Sequence, residues 1–92
     1  MPMRGAHVVI SGRVQGVGFR LWVETEAVSR GLEGWVRNRR DGSVEAVFFG
    51  EDDAVDAMLT ACGDGPASAL VTDVAVSDTD ETPSGFEIRR TL

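Results

Sequence analysis

The sequence Gln15-Gly16-Val17-Gly18-Phe19-Arg20 follows the apolar run Val8-Val9-Ile10 and leads into a helix-compatible stretch, residues 19–29. A strand, a short glycine-containing loop and a helix start together leave several backbone N–H groups unpaired near one point. Gly16 and Gly18 let the backbone approach a ligand without a Cβ in the way. The helix dipole adds roughly half a positive charge at that point, and Arg20 adds a full charge on a planar fork. The loop therefore predicts a phosphate cradle.

The two common nucleotide-binding loops do not match this stretch. It lacks the Gly-Lys-Ser/Thr ending of a P-loop, and Leu21 stands where a dinucleotide fingerprint starting at Gly16 would need glycine. Judged on the loop alone, a tight strand-to-helix connector with an exposed arginine is the structural alternative.

Length and composition predict one globular domain, residues 1–92. Hydrophobic residues make up 42% of the chain and charged residues 26%, which is close to the average of globular proteins. Cys62 is the one cysteine and cannot form an internal disulfide. There is no charged-then-apolar leader and no long apolar run, so a cytoplasmic location is expected.

The net charge of −6 is unevenly distributed along the chain. Residues 1–40 hold seven arginines and three glutamates, whereas residues 41–92 hold two arginines and twelve acidic residues. Nucleic-acid affinity grows with the number of phosphates that a protein neutralises, so the acidic second part disfavours a nucleic-acid surface. A small anion bound by the basic first part fits this balance better.

The first part of the chain predicts a strand and a helix on either side of the loop. Alternating apolar residues predict strand one over 6–14, and residues 1–5 have no periodicity and are expected to be a loose terminus. Phe19, Val23 and Ala27 recur at helical spacing, and Gly31 is expected to end that helix.

The second part predicts a hairpin, a second helix and two strands. Asp41-Gly42 joins strands predicted at 32–38 and 44–49, which places Asn38 at the end of strand two. The acidic residues 51–53 are expected to cap a second helix, and Cys62 lies on its apolar stripe with core spacing. Further strands are predicted around 71–76 and, as a short terminal strand, 86–88.

This order of elements predicts a ferredoxin-like βαββαβ sandwich of the α+β class. Right-handed crossovers give the strand order 4-1-3-2 in a mainly antiparallel sheet, with a short extra C-terminal strand and both helices on one face. Strand one is then central, so residues at the ends of neighbouring strands can form a site together with the loop that follows it.

Several motifs occur in the right order and at the right separation to resemble one family. They are Ser11-Gly12-Arg13-Val14-Gln15-Gly16-Val17-Gly18-Phe19-Arg20, Gly34-Trp35-Val36-Arg37-Asn38, Asp41-Gly42-Ser43-Val44-Glu45 and Gly85-Phe86-Glu87-Ile88-Arg89-Arg90. Over nearly the whole chain, this pattern resembles the acylphosphatases.

The resemblance implies hydrolysis of the carboxyl-phosphate bond of acyl phosphates to a carboxylate and inorganic phosphate, without a metal or cofactor. It implies that Arg20 and the backbone N–H groups of Gln15, Gly16, Val17, Gly18, Phe19 and Arg20 hold the phosphate. It also implies that Asn38 orients the attacking water. The sequence departs from the family pattern at Arg30 and at Arg39-Arg40, which leaves both catalytic groups in place.

Other interpretations apply to single residues. Asparagine at a strand end often satisfies its own backbone, which is the structural alternative for Asn38. His7 has no acidic or cysteine partner nearby in the sequence and is interpreted as structural or surface-exposed. Cys62 is interpreted as a packing residue.

Two other functions remain as alternatives. The same fold serves as a nucleic-acid or protein-binding module, although this chain has no tyrosine and an acidic second part. The second alternative is an acylphosphatase-like accessory domain that handles carbamoyl phosphate as part of a longer enzyme. Because no linker follows Leu92, a stand-alone enzyme is expected. The small size and the lack of a second apolar helix face favour a monomer. Neither a membrane nor a nucleic acid is expected as a partner, given the missing apolar run and the acidic second part.

Overall fold

The structure is a computed structural model and describes residues 2–91. Within these residues the chain forms five strands and two helices. They are β1 (Met3–Arg13), α1 (Phe19–Ser29), β2 (Glu33–Asn38), β3 (Val44–Glu51), α2 (Asp52–Asp64), β4 (Leu70–Asp78) and β5 (Phe86–Ile88). No helix in the described part of the chain is long and apolar enough to cross a membrane.

The strands form one sheet in the order β4-β1-β3-β2-β5. β1 is antiparallel to both β3 and β4, and β2 is antiparallel to β3. β5 adds to the outer edge of β2 in parallel orientation, with Val36 opposite Ile88. The predicted order 4-1-3-2 with an extra C-terminal strand is confirmed, and so is the ferredoxin-like fold class.

Both helices pack on the same face of this sheet. Val8 and Ile10 of β1 and Phe48 of β3 point to that face and belong to one buried cluster. The same cluster contains Val23 of α1 and Met58 of α2, so the helices share a single core with the sheet. The sandwich fixes where α1 begins, because the helix packs against β2 and β5 on one side of the sheet.

The ends of α1 follow from its sequence. The helix begins at Phe19 and ends before Gly31, as predicted. Leu32 N–H donates to the Ala27 carbonyl at 2.9 Å and Gly31 N–H donates to the Val28 carbonyl at 3.0 Å. These two bonds are the Schellman pattern, which satisfies the last helix carbonyls and returns the chain to the sheet.

The N-terminal prediction is wrong for Met3, Arg4 and Gly5. These residues belong to β1, because β3 extends as far as Glu51 and offers them partners, with Met3 opposite Glu51. Arg4 also donates from Nη1 to the Asp52 Oδ1 at 3.4 Å, which ties the strand to the start of α2. Met1 was part of the same prediction and lies outside the described residues.

Candidate active site

The loop after β1 adopts a conformation that its two glycines make possible. Gly16 has φ +74° and Gly18 has φ +77°, both in the left-handed region that other residues seldom adopt. A Cβ at either position would find no heavy atom within 4 Å. The glycines are therefore required by the backbone conformation, and the space beside them is open.

The amides of this loop are available to a ligand. Within residues 2–91, no backbone N–H of residues 15–20 donates to a protein acceptor. The first intrahelical bond from the loop is that of Trp22 N–H to the Gly18 carbonyl at 3.0 Å. Since α1 has no acidic residue in its first turn and no side-chain cap, its positive end is not neutralised by the protein.

Arg20 and Asn38 line the same cavity as this loop. The cavity has a volume of about 270 Å³. Its lining residues are Val14, Gly16, Gly18, Phe19, Arg20, Leu21, Asn38 and Ile88. The guanidinium of Arg20 donates from Nη1 to the Arg89 carbonyl at 3.4 Å. A guanidinium has five N–H donors, so the other donors of Arg20 remain for a ligand. Arginine, carboxamide and unpaired amides are thus gathered at one place.

The side chain of Gln15 joins the loop to the β2–β3 turn. Its Nε2 donates to the Arg39 carbonyl at 2.7 Å and to the Ser43 carbonyl at 2.9 Å. Asn38 directly precedes this turn, so these two hydrogen bonds connect the loop to the strand end that carries Asn38. The sequence motif includes Gln15, but a contact across 24 and 28 residues has no local signal that could have revealed it.

The turn that Gln15 contacts is itself fixed. Ser43 donates to Asp41 Oδ1 from its backbone N at 2.9 Å and from Oγ at 2.6 Å. These hydrogen bonds, from the hydroxyl first, lower the pKa of Asp41 below its ordinary value. Arg39 N–H closes the turn by donating to the Ser43 carbonyl at 2.9 Å. The end of β2 therefore has little freedom.

A second, larger depression of about 370 Å³ lies beside the turn but is poorly suited to a phosphate. It is lined by Arg37, Arg39, Arg40, Asp41 and Glu45. Glu45 already accepts from Arg37 Nε at 2.7 Å, so the carboxylates in this depression neutralise much of its positive charge. An anion there would meet two carboxylates, and it would meet none in the lining of the smaller cavity.

His7 has an acidic partner that its sequence neighbours do not suggest. Its Nε2 lies 2.6 Å from Glu45 Oε2 on the sheet face away from the helices. Burial would raise the pKa of Glu45, but the hydrogen bonds from His7 and Arg37 outweigh burial and lower it. The pair lies on the opposite face from the cavity, so His7 is not brought to the site.

Cys62 is buried in the core, as expected from its spacing. Burial raises the pKa of its thiol to about 12, which keeps it protonated and unreactive at neutral pH. Within residues 2–91, no three His, Cys, Asp or Glu side chains are grouped so as to hold a metal ion.

Comparison with known proteins shows the family of this chain. A family model described as Acylphosphatase matches residues 6–88. The chain belongs to the acylphosphatase family. It is 53% identical to an acylphosphatase of Azorhizobium caulinodans over 88 residues, which cover 94% of this chain and 95% of that protein.

Solved structures of the family have the same fold. The structure of an acylphosphatase from Coxiella burnetii has a TM-score of 0.91 at 38% identity, covering 95% of this chain and 93% of that one. A full-length HypF in its phosphate- and nucleotide-bound form has a TM-score of 0.89 at 25% identity. There the likeness covers 98% of this chain but 12% of HypF, so it concerns one segment of that longer protein.

Proposed function

We propose that residues 1–92 act as one acylphosphatase domain that hydrolyses acyl phosphates to a carboxylate and inorganic phosphate. Membership of the acylphosphatase family supports a hydrolase of this class. The observation that carries the catalytic assignment is that Arg20 and Asn38 line one cavity with loop amides that have no acceptor within residues 2–91.

In this proposal the loop and Arg20 hold the phosphoryl group. Phosphoryl transfer needs mainly positioning and compensation of the charge on the equatorial oxygens. The N–H groups of residues 15–20 supply fixed donors, and the guanidinium of Arg20 supplies a planar pair of donors with a full positive charge. Donors that are already in place need no reorganisation as the charge develops, so they stabilise the transition state more than water would.

Asn38 has the role of orienting the nucleophile. Its carboxamide oxygen accepts a hydrogen bond from a water, which attacks phosphorus in line with the leaving group. The bond between phosphorus and the acyl oxygen breaks, and its electron pair leaves with the carboxylate. The proton of the water passes to a phosphate oxygen, so the substrate serves as its own base.

The leaving group explains why the cavity needs no acid. A carboxylate is the conjugate base of a fairly strong acid and departs without being protonated. The lining of the cavity accordingly contains neither a histidine nor a carboxylic acid among its residues. The same reasoning supports a reaction that needs no metal ion and no cofactor.

We further propose that the protein acts as a monomer in the cytoplasm. An acyl phosphate is its small-molecule substrate and inorganic phosphate its product, with neither nucleic acid nor membrane as a partner. The twelve acidic residues and two arginines of residues 41–92 support the absence of a nucleic-acid partner, since an acidic surface opposes polyanion binding.

Kinetics of benzoyl phosphate hydrolysis test the assignment. Arg20→Ala is expected to lower kcat/KM by about 10³-fold and to remove inhibition by phosphate, and Arg20→Lys is not expected to restore either. Asn38→Ala is expected to lower kcat by about 10²-fold with little change in phosphate inhibition. Arg30→Ala, at the far end of the same helix, is the matched control and is expected to keep activity within about twofold of wild type.

Two outcomes would contradict the proposal. Equal loss of phosphate inhibition in the Arg20 and Asn38 variants would refute their separate roles. Activity that disappears with a chelator would refute the metal-free reaction. Carbamoyl phosphate serves as a second substrate: if it is hydrolysed far better than benzoyl phosphate, the carbamoyl-phosphate accessory function is favoured instead.

A further inference from the structure

Two large apolar side chains are exposed at the cavity that holds Arg20 and Asn38. Leu21 is 62% exposed and Ile88 is 40% exposed, and both line this cavity. Placing apolar surface in water is unfavourable, and a few such groups occur on any protein. Here, however, the two side chains lie in the lining of one cavity, beside the groups proposed to bind phosphate.

Both side chains line the same cavity as Arg20. Leu21 follows it in α1 and points away from the buried stripe of that helix, which is formed by Phe19, Val23 and Ala27. Ile88 precedes Arg89, whose carbonyl accepts a hydrogen bond from Arg20 at 3.4 Å. The cavity that contains Arg20 is therefore lined by one exposed apolar side chain from the helix and one from β5.

The reaction restricts where the acyl group of the substrate can lie. An in-line displacement requires the acyl oxygen to leave from the side of phosphorus opposite the attacking water, so the acyl group cannot lie against Asn38. Arg20 and the loop amides are occupied by the phosphoryl oxygens. Of the remaining lining residues, Val14 and Phe19 are 1% and 2% exposed. Leu21 and Ile88 are left as the accessible surface.

We propose that Leu21 and Ile88 form the acyl-group subsite and select acyl phosphates with an apolar acyl group, aromatic or branched aliphatic. This inference rests on the proposed function and specifies its substrate class. An apolar acyl group covers surface that is otherwise in water, which favours binding in proportion to the area buried. A carboxylate on the acyl group would lose hydration against these side chains without gaining a partner, so charged acyl groups are disfavoured.

Three substrates separate the contributions: acetyl phosphate, benzoyl phosphate and 4-carboxybenzoyl phosphate. For Leu21→Ala we expect kcat/KM to fall about five-fold with benzoyl phosphate and at most about twofold with acetyl phosphate, whose methyl group covers little of the subsite. Ile88→Ala is expected to follow the same pattern. Each variant is compared with wild type on the same substrate, so the intrinsic reactivity of each acyl phosphate cancels.

Matched controls come from side chains equally exposed elsewhere. Leu70 of β4 is 63% exposed and Val28 of α1 is 59% exposed, and neither lines the cavity. Leu70→Ala and Val28→Ala are expected to leave all three kcat/KM values within about twofold of wild type. The inhibition constant for phosphate, measured in every variant, reports whether Arg20 and the loop are still in position.

A charge placed at the subsite gives the opposite selectivity. Leu21→Arg is expected to raise kcat/KM for 4-carboxybenzoyl phosphate relative to benzoyl phosphate by about tenfold, because the new cation meets the added carboxylate. The inference is overturned if Leu21→Ala changes the benzoyl and acetyl values by the same factor, or if Leu70→Ala has the same effect. Those results leave the proposed function intact, whereas a wild-type protein that hydrolyses none of the three substrates refutes the function itself.

Discussion

The two helices of this protein begin in opposite ways. α2 is preceded by Glu51 and carries Asp52 and Asp53 in its first turn. The predicted capping by an acidic side chain is wrong, because Glu51 makes no side-chain cap hydrogen bond and the Asp52 N–H donates instead to the Pro2 carbonyl at 3.1 Å. α1 follows Gly18 in a left-handed conformation, has no acidic residue in its first turn and carries Arg20 there. The first turn of α2 therefore carries negative charge, and the first turn of α1 carries none.

The difference in charge between the two helix starts has opposite consequences for helix stability and for anion binding. An acidic residue in the first turn of a helix stabilises it by about 0.3–1 kcal/mol, and a cation there acts against the dipole. α2 is therefore built for stability. α1 lacks that contribution, and its positive end, its loop amides and Arg20 are the groups proposed to bind the phosphate of the substrate.

Among changes that test the contrast between the two helix starts, the largest effect is expected from giving α1 the negative charge that α2 has. Gly18→Asp places a carboxylate where the substrate phosphate is proposed to bind. It is expected to lower kcat/KM for benzoyl phosphate by about 10²-fold or more, because the repulsion between carboxylate and phosphate should cost at least as much as the loss of one preorganised donor. The measurement is steady-state kinetics beside inhibition by phosphate.

Gly18→Asn is the matched control for that variant. Asparagine has nearly the same shape and tolerates the left-handed conformation about as well, but carries no charge. It is expected to retain at least tenfold more activity than Gly18→Asp. In urea unfolding without phosphate, the aspartate variant should be more stable than the asparagine variant by about 0.3–1 kcal/mol. Equal activity in the two would show that the backbone, and not charge, controls the site.

An intermediate effect is expected from loosening the start of α1. Gln15→Ala removes both side-chain hydrogen bonds to the Arg39 and Ser43 carbonyls. Each such bond contributes about 0.5–1.5 kcal/mol, so the free energy of unfolding should fall by roughly 1–3 kcal/mol. Misplacement of the loop relative to Asn38 should lower kcat by about tenfold with a smaller change in KM.

The control for Gln15 separates positioning from stability. Thr25→Ala removes one side-chain bond, from Oγ1 to the Leu21 carbonyl at 3.0 Å, on an exposed part of α1. It should leave kcat unchanged. If kcat of Gln15→Ala equals that of wild type although its stability falls, Gln15 has no part in positioning the site.

The smallest effect concerns the start of α2. Asp53→Asn removes one exposed first-turn carboxylate while keeping the shape of the side chain. The free energy of unfolding is expected to fall by about 0.3–1 kcal/mol at low salt and by less at high salt, where the dipole interaction is screened. Catalysis should not change. A loss of activity comparable with that of Gly18→Asp would remove the distinction between the two helix starts.

Local patterns were enough to predict most of the fold. Helical spacing placed α1 at residues 19–29, and Asp41-Gly42 placed the hairpin that brings Asn38 to the end of β2. Handedness rules then gave the strand order. These features depend on nearby residues or on general chirality, so the sequence contains them. The loop conformation and the position of Arg20 in the first turn of α1 were predicted for the same reason, since strand, glycines and helix start are consecutive in the sequence.

The features that the sequence did not predict are contacts between residues that are far apart in the chain. Met3 belongs to β1 because Glu51 lies opposite it, and residues 1–5 show no periodicity of their own. His7 meets Glu45 across two strands. Gln15 reaches the β2–β3 turn, and Ile88 reaches the cavity from the other end of the chain. In each case the partner is distant in sequence and no local pattern marks the contact.

Amide-resolved NMR during a titration with inorganic phosphate tests the central claim most directly. The amide resonances of residues 15–20 should shift together and give one dissociation constant, equal to the inhibition constant for phosphate within about twofold. The amides of Asp52 and Asp53 at the start of α2 should not move. Shifts centred on Arg39 and Arg40 instead, or equal shifts at both helix starts, would contradict the account.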